Sequence, residues 1–181
     1  MKKIYIVLSY TGTILARTIK LYTRKEYSHV SISLDKNMEH MYSFGRLNPY
    51  NPFWGGFIHE STRRGTFKRF YNTRARVLVF NISDEQYENL KYIIYKIKHN
   101  RKYYTFNILG LFAIYFKIKR KKKRCFYCAE FIKYLIEKAD IDIELPELIR
   151  PEDFKNIRGS KVIYLGLLKE YNKKLIGDNV L

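Results

Sequence analysis

In the first third of the chain, apolar and polar positions alternate mostly with the period of strands. Residues 3–9 (KIYIVLS) form a short apolar run rich in β-branched side chains, which predicts a buried strand. Residues 28–34 (SHVSISL) alternate strictly: His29, Ser31 and Ser33 fall on one face, and Val30, Ile32 and Leu34 on the other. That pattern predicts a half-buried strand. Between them, Ile14, Leu15, Ile19 and Tyr22 recur at helical spacing over residues 12–22, with Thr11 or Thr13 as the cap. After an Asp35-Lys36-Asn37 turn, residues 38–44 (MEHMYSF) predict a second strand in a hairpin with the first. Residues 45–56 (GRLNPYNPFWGG) hold three Gly, two Pro and two Asn, which predicts a loop with aromatic side chains along a groove. Residues 57–61 (FIHES) and 75–82 (ARVLVFNI) read as further strands.

Helical periodicity takes over in the second half. Ser83 followed by Glu85 and Gln86 resembles a helix start, and residues 84–99 continue as an amphipathic helix. Residues 105–116 (TFNILGLFAIYF) are strongly apolar, and residues 117–124 (KIKRKKKR) carry seven basic residues in eight. Residues 125–138 (CFYCAEFIKYLIEK) begin apolar and become helical, with Ile132, Leu135 and Ile136 at core spacing. A loop with a short helix follows over 146–157, and residues 161–165 (KVIYL) form a last strand. No repeat or linker interrupts this series, so residues 1–181 read as one α+β domain.

Composition narrows the classes. Hydrophobic residues make up 46% and aromatics 17%, a folded composition with many half-buried tyrosines. The net charge of +18 implies affinity for an anionic partner, although solvated lysines on outer faces account for the same number. The apolar stretch from Leu109, followed by Lys117, Lys119, Arg120, Lys121, Lys122, Lys123 and Arg124, has the pattern of a peripheral contact with an anionic membrane. A buried element followed by a solvated loop gives the same pattern. Nucleic acid is the lesser candidate, since no helix-turn-helix, zinc-finger or RNA-recognition signature is present. The two cysteines build no disulfide scaffold, which suits a reducing compartment. The apolar stretch Ile4–Leu8 is shorter than a signal-peptide core, and no run suffices to span a bilayer. A cytoplasmic location is expected, peripheral at the membrane if the basic run docks there.

Cys128 is the sharpest chemical feature. It stands at the start of a predicted helix, where free N–H groups and partial positive charge favour a thiolate and a developing oxyanion. The Cys125–Cys128 spacing also suits a redox pair or half a zinc site, but no second Cys pair exists. The histidines (29, 40, 59 and 99) show no ligand spacing either, so no metal and no cofactor is expected. Cys125 reads as part of the strand leading into the helix. His29, on the polar face of its strand, supplies the base that a helix-start thiol needs.

The segments YSHVSISLD, MYSFGR, GGFIHES and CFYCAEF, in that order, resemble the permuted branch of the NlpC-type papain-like superfamily, whose relatives include lecithin:retinol acyltransferase-like proteins. In that branch the His strand comes first and the Cys helix last. The resemblance covers roughly residues 5–165. It implies a central antiparallel sheet or partial barrel packed against the nucleophile helix. It also implies Cys128 as nucleophile and His29 as base, with a third polar residue to orient the imidazole. Glu60 is the first choice for that place, Ser43 the alternative and His59 a third option. Tyr10 is a candidate hydroxyl near the sulfur. The implied chemistry is hydrolysis or acyl transfer at an amide, ester or thioester, on a peptide-like or acyl-lipid substrate. The rival class is a basic binding module with a degenerate site.

Overall fold

The computed structural model describes residues 1–13, 16–17, 20–21, 24–48, 51–116, 118 and 122–172, with the backbone alone at 51–53 and 115. It is a mixed α+β structure around one six-stranded antiparallel sheet. The strands are β1 (Lys2–Tyr10), β2 (His29–Ser33), β3 (Met41–Asn48), β4 (Asn51–Glu60), β5 (Arg74–Ile82) and β8 (Lys161–Leu167), in the order β4-β3-β2-β1-β5-β8. A short helix α1 (Gly65–Arg69) precedes β5, and a long helix α2 (Asp84–His99) follows it. Two parallel two-residue strands, β6 (Thr105–Phe106) and β7 (Cys125–Phe126), lead into α3 (Ile108–Ala113) and α4 (Cys128–Lys138) respectively. Among the described residues, no helix is long and apolar enough to cross a membrane.

The apolar run of β1 has a simple cause: the strand lies between β2 and β5 and is buried on both faces. On one face, Ile4, Ile6 and Leu8 join Val30, Ile32, Phe44 and Phe57 beneath Phe131, Ile132, Leu135 and Ile136 of α4. On the other face, Tyr5, Val7, Met41 and Val77 are covered by Phe67, Leu168 and Tyr171. That second cover corrects the half-buried reading of residues 28–34, because Ser31 and Ser33 are buried too. The register Tyr5↔Ser33, Val7↔Ser31 and Ser9↔His29 places His29 at the entry of β2, level with the C-terminal end of β1.

The loop expected over 45–56 is mostly strand. Gly45 pairs with Gly56 and Arg46 with Gly55 in the β3–β4 hairpin. These glycines answer a close approach, not a turn. A Cβ on Gly55 would come within 2.6 Å of both the Gly45 carbonyl oxygen and the Cβ of Phe106. The strand expected to start at residue 38 begins at Met41, and the one expected at 57–61 begins at Asn51. The apolar stretch 105–116 divides into β6, α3 and a 3₁₀ turn over Ile114–Phe116.

The expected capping of α2 is present in full. The Ser83 hydroxyl accepts from the Gln86 N–H at 3.0 Å, and the Gln86 Oε1 accepts from the Ser83 N–H at 2.9 Å. The helix expected over 12–22 lies largely outside the described residues. Its start is capped by Thr13, whose hydroxyl oxygen accepts from the Ala16 N–H at 3.2 Å.

Phe131 is the hub of an aromatic cluster, with ring centroids 4.8 Å from Phe44 and 5.9 Å from Phe57. Phe131→Ala is expected to cost about 3–5 kcal/mol, read from urea denaturation. A loss below about 1 kcal/mol would mean that the site collapses around the gap instead of keeping a cavity.

Candidate active site

Strands β2 and β3 pair only at Ile32↔Tyr42 and Ser33↔Met41. Towards His29 they part, and the Ser43 hydroxyl spans the gap by donating to the Val30 carbonyl at 2.7 Å. Side chains from both faces of the sheet meet there. A cavity of about 120 Å³ is lined by His29, Gly45, Ile58 and Glu60 together with Phe44, Phe106, Leu111 and Cys128.

The His29 ring lies between sulfur and carboxylate. Its Nε2 is 3.1 Å from Glu60 Oε2, and the Cys128 side chain is near enough to the ring to act on its titration. Ser31 donates its hydroxyl to the same Glu60 oxygen at 2.6 Å and lies 3.2 Å from Nε2. An ionised Glu60 accepts both bonds, so Nε2 carries a proton and Nδ1 is the nitrogen left for sulfur. The His29 and Glu60 side chains are 19% and 9% exposed. Burial works against the charged ring, but the charge and hydrogen bond of Glu60 and the nearby Cys128 side chain outweigh it. The pKa of His29 is thereby raised to about 10.

Cys128 is the first residue of α4 and 4% exposed. Its backbone N–H has no partner within the helix, and the residue lines the cavity. Glu130 fixes this helix start: its Oε2 accepts from the Tyr127 N–H at 3.4 Å and from Asn107 Nδ2 at 3.4 Å. Asn107 in turn caps α3, accepting from the Gly110 N–H at 2.9 Å. The starts of α3 and α4 are tied through one carboxylate.

The structure thus brings together Cys128, His29 and Glu60. Ser43 does not face the imidazole nitrogens, because its hydroxyl is spent on Val30. His59 lies on the other side of β4 and pairs with His40, Nε2 to Nδ1, at 3.0 Å. Tyr10 does not line the cavity; its ring carries the Lys20 ammonium at 4.7 Å. Cys125 is a buried residue of β7, as its position before the helix suggested. Lys117, Lys119, Arg120 and Lys121 lie outside the described residues, while Lys122, Lys123 and Arg124 are exposed. Next to them the expected buried element is only partly buried: Leu111 and Ile114 are inside, but Leu109, Phe116 and Ile118 face solvent. Among the described residues, no three His, Cys, Asp or Glu side chains are grouped to hold a metal ion. Sequence reasoning missed Ser31, whose signal was its place two residues after His29 on one strand face. It also missed Glu130, the capping acid three residues after Tyr127.

No protein-family profile matches the chain, and no curated protein matches it.

The raised His29 pKa has a direction on stability. The charged ring stabilises the folded state fully below about 6.5, its ordinary value. That contribution is lost as pH rises through about 10. The His29 Cε1–H resonance is expected to titrate near pH 10 and to move down by at least about one unit in Glu60→Gln. A midpoint unchanged by Glu60→Gln would remove the carboxylate as the cause.

Proposed function

We propose that this protein is a cysteine hydrolase or acyltransferase of the permuted papain-like kind, with Cys128 as nucleophile, His29 as acid–base and Glu60 as its orienting group. One observation carries the reading: thiol, imidazole and carboxylate form a continuous chain of contacts on the wall of one cavity. A nucleophile within reach of a base that a third group orients is what thiol acyl chemistry requires. The order of the chain, with the His strand first and the Cys helix last, supports the permuted arrangement.

The steps follow from the charges. Near neutral pH His29 already holds its proton, so Cys128 acts as a thiolate beside imidazolium, which the buried Glu60 stabilises. The thiolate attacks the carbonyl carbon of an amide, ester or thioester. The electron pair of the carbonyl moves to oxygen, where the Cys128 backbone N–H donates a hydrogen bond. His29 returns the proton to the leaving amine, alcohol or thiol, and an acyl-thioester remains on Cys128. Water or an acceptor nucleophile then gives its proton to His29 as it attacks that thioester. Collapse of this second intermediate expels the Cys128 thiolate. Glu60 and Ser31 keep the ring in the tautomer that serves both half-reactions.

The exposed Leu109, Phe116 and Ile118 beside Lys122, Lys123 and Arg124 support a peripheral contact with an anionic membrane. An acyl-lipid substrate would reach the cavity from that side through Phe106 and Leu111, which line it.

Cys128→Ala and His29→Ala are each expected to lower turnover of acyl thioester probes by at least about a thousandfold while the far-ultraviolet circular dichroism stays unchanged. Near neutral pH, alkylation of Cys128 by iodoacetamide is expected to be about tenfold faster in wild type than in His29→Ala. Cys125→Ser should retain activity. Normal turnover in either of the first two variants would overturn the mechanism, and complete loss in Cys125→Ser would move the nucleophile.

A further inference from the structure

The solvent face of α2 carries rings where an amphipathic helix ordinarily carries charged and polar side chains. Leu90, Ile94 and Ile97 are its buried stripe. At about 3.6 residues per turn, Tyr92, Tyr95 and His99 lie opposite that stripe, with Lys96 on one flank and Lys98 on the other. Tyr92 and Tyr95 are 62% and 57% exposed. The Tyr95 and His99 rings are already set against each other, with centroids 4.2 Å apart. The 3₁₀ turn Arg101–Tyr103 prolongs the row: Tyr103 is exposed, and its ring carries the Lys102 ammonium at 5.0 Å.

Charge says what kind of partner fits. The acids of α2 stand in its first half, where Glu88 pairs with Lys91 at 3.1 Å. No acidic residue occurs from position 89 to position 129. The row is therefore rings among cations, complementary to a polyanion that also offers flat faces. Base stacking on aromatic rings, with cations on the phosphates, holds single-stranded nucleic acid without sequence preference. Such binding needs no helix-turn-helix, zinc-finger or RNA-recognition signature. Tyr92, Tyr95 and His99 follow one another at steps of about 4.5 and 6 Å along the helix axis. A single strand, at about 3.4 Å per nucleotide when stacked, matches those steps by stretching. A duplex keeps its bases stacked on one another and has no open face to offer. A bilayer fits less well, because an interfacial helix buries an apolar face of Leu, Phe or Trp. Between residues 84 and 103 the exposed large apolar side chains are all tyrosine, unlike Leu109, Phe112 and Phe116 further on.

We propose that α2 and the turn after it bind single-stranded nucleic acid, with Tyr92, Tyr95 and His99 stacking on bases and Lys96, Lys98 and Arg101 on the phosphates. None of these residues lines the cavity of Cys128, so binding does not depend on the chemistry there.

Fluorescence anisotropy of short labelled oligo(dT) and oligo(U), with the full chain, is the test. Binding is expected at low salt, and the tighter of the two probes assigns DNA or RNA. Tyr92→Leu and Tyr95→Leu are each expected to weaken it about tenfold, the loss of one stacked base, while Tyr95→Phe retains it. Lys96→Gln and Lys98→Gln should each flatten the slope of log Kd against log salt by roughly 0.7. Unchanged far-ultraviolet circular dichroism shows that the helix survives each change. Full affinity in both leucine variants would overturn the surface, since binding would then reside elsewhere on this basic chain. A competition on the wild-type protein needs no variant: unlabelled oligo(dT) is expected to displace the probe, and polyglutamate of equal charge is not. Equal displacement would overturn the stacking, and binding to anionic phosphatidylserine vesicles without binding to either oligonucleotide would overturn the choice of partner.

Discussion

The contact between Glu60 and His29 is the constraint on which the site depends. The two residues lie on β4 and β2, with β3 between them, so their side chains must meet across an intervening strand. Small residues make this feasible. A Cβ on Gly45 would lie 3.8 Å from His29 Cε1, and Ser43 turns its short side chain down to the backbone of Val30. Larger side chains on β3 would hold acid and base apart. A charged pair this buried gains little over an apolar pair of the same shape, but leaving one partner alone costs about 3–5 kcal/mol. Geometry and electrostatics therefore reinforce each other: the sheet register sets the distance, and the cost of an unpaired charge keeps it.

The other half of the site depends on the core. The helix that presents Cys128 also contributes Phe131, Ile132, Leu135 and Ile136 to the larger apolar cluster. The sulfur cannot drift without repacking that cluster. Glu130 then couples the helix start to Asn107 and α3, whose Leu111 lines the cavity. The position of Cys128 and the shape of the cavity share one carboxylate.

Much of this was legible in the sequence, where local rules dominate. Ser83 and Gln86 announced α2 because capping is settled within four residues. His29 and Cys128 were readable from a strand alternation and a helix start. Glu60 needed the family resemblance, since nothing local says that β4 lies two strands from β2. The failures share a cause. Gly55 and Gly56 read as a loop because the groups they make room for, Phe106 and the Tyr104 carbonyl, lie some fifty residues later. Ser31 and Ser33 read as solvent-facing because their cover comes from Phe67, Leu168 and Tyr171, all distant in sequence. Ser43 and Tyr10 were reasonable as residue types, but side-chain direction decided against them, and that is fixed only by the assembled sheet.

The order of the elements has a consequence for biosynthesis. The ribosome delivers His29 and Glu60, on β2 and β4, well before Cys128 on α4. A nascent chain that has laid down β1 to β5 holds the His29–Glu60 pair without the Cys128 sulfur. Its sheet also lacks cover on both apolar faces, one awaiting α4 and the other awaiting Leu168 and Tyr171. Cys128 thus joins His29 in the same event that covers the larger apolar cluster, and chains that stop short of α4 are the species most in need of chaperones.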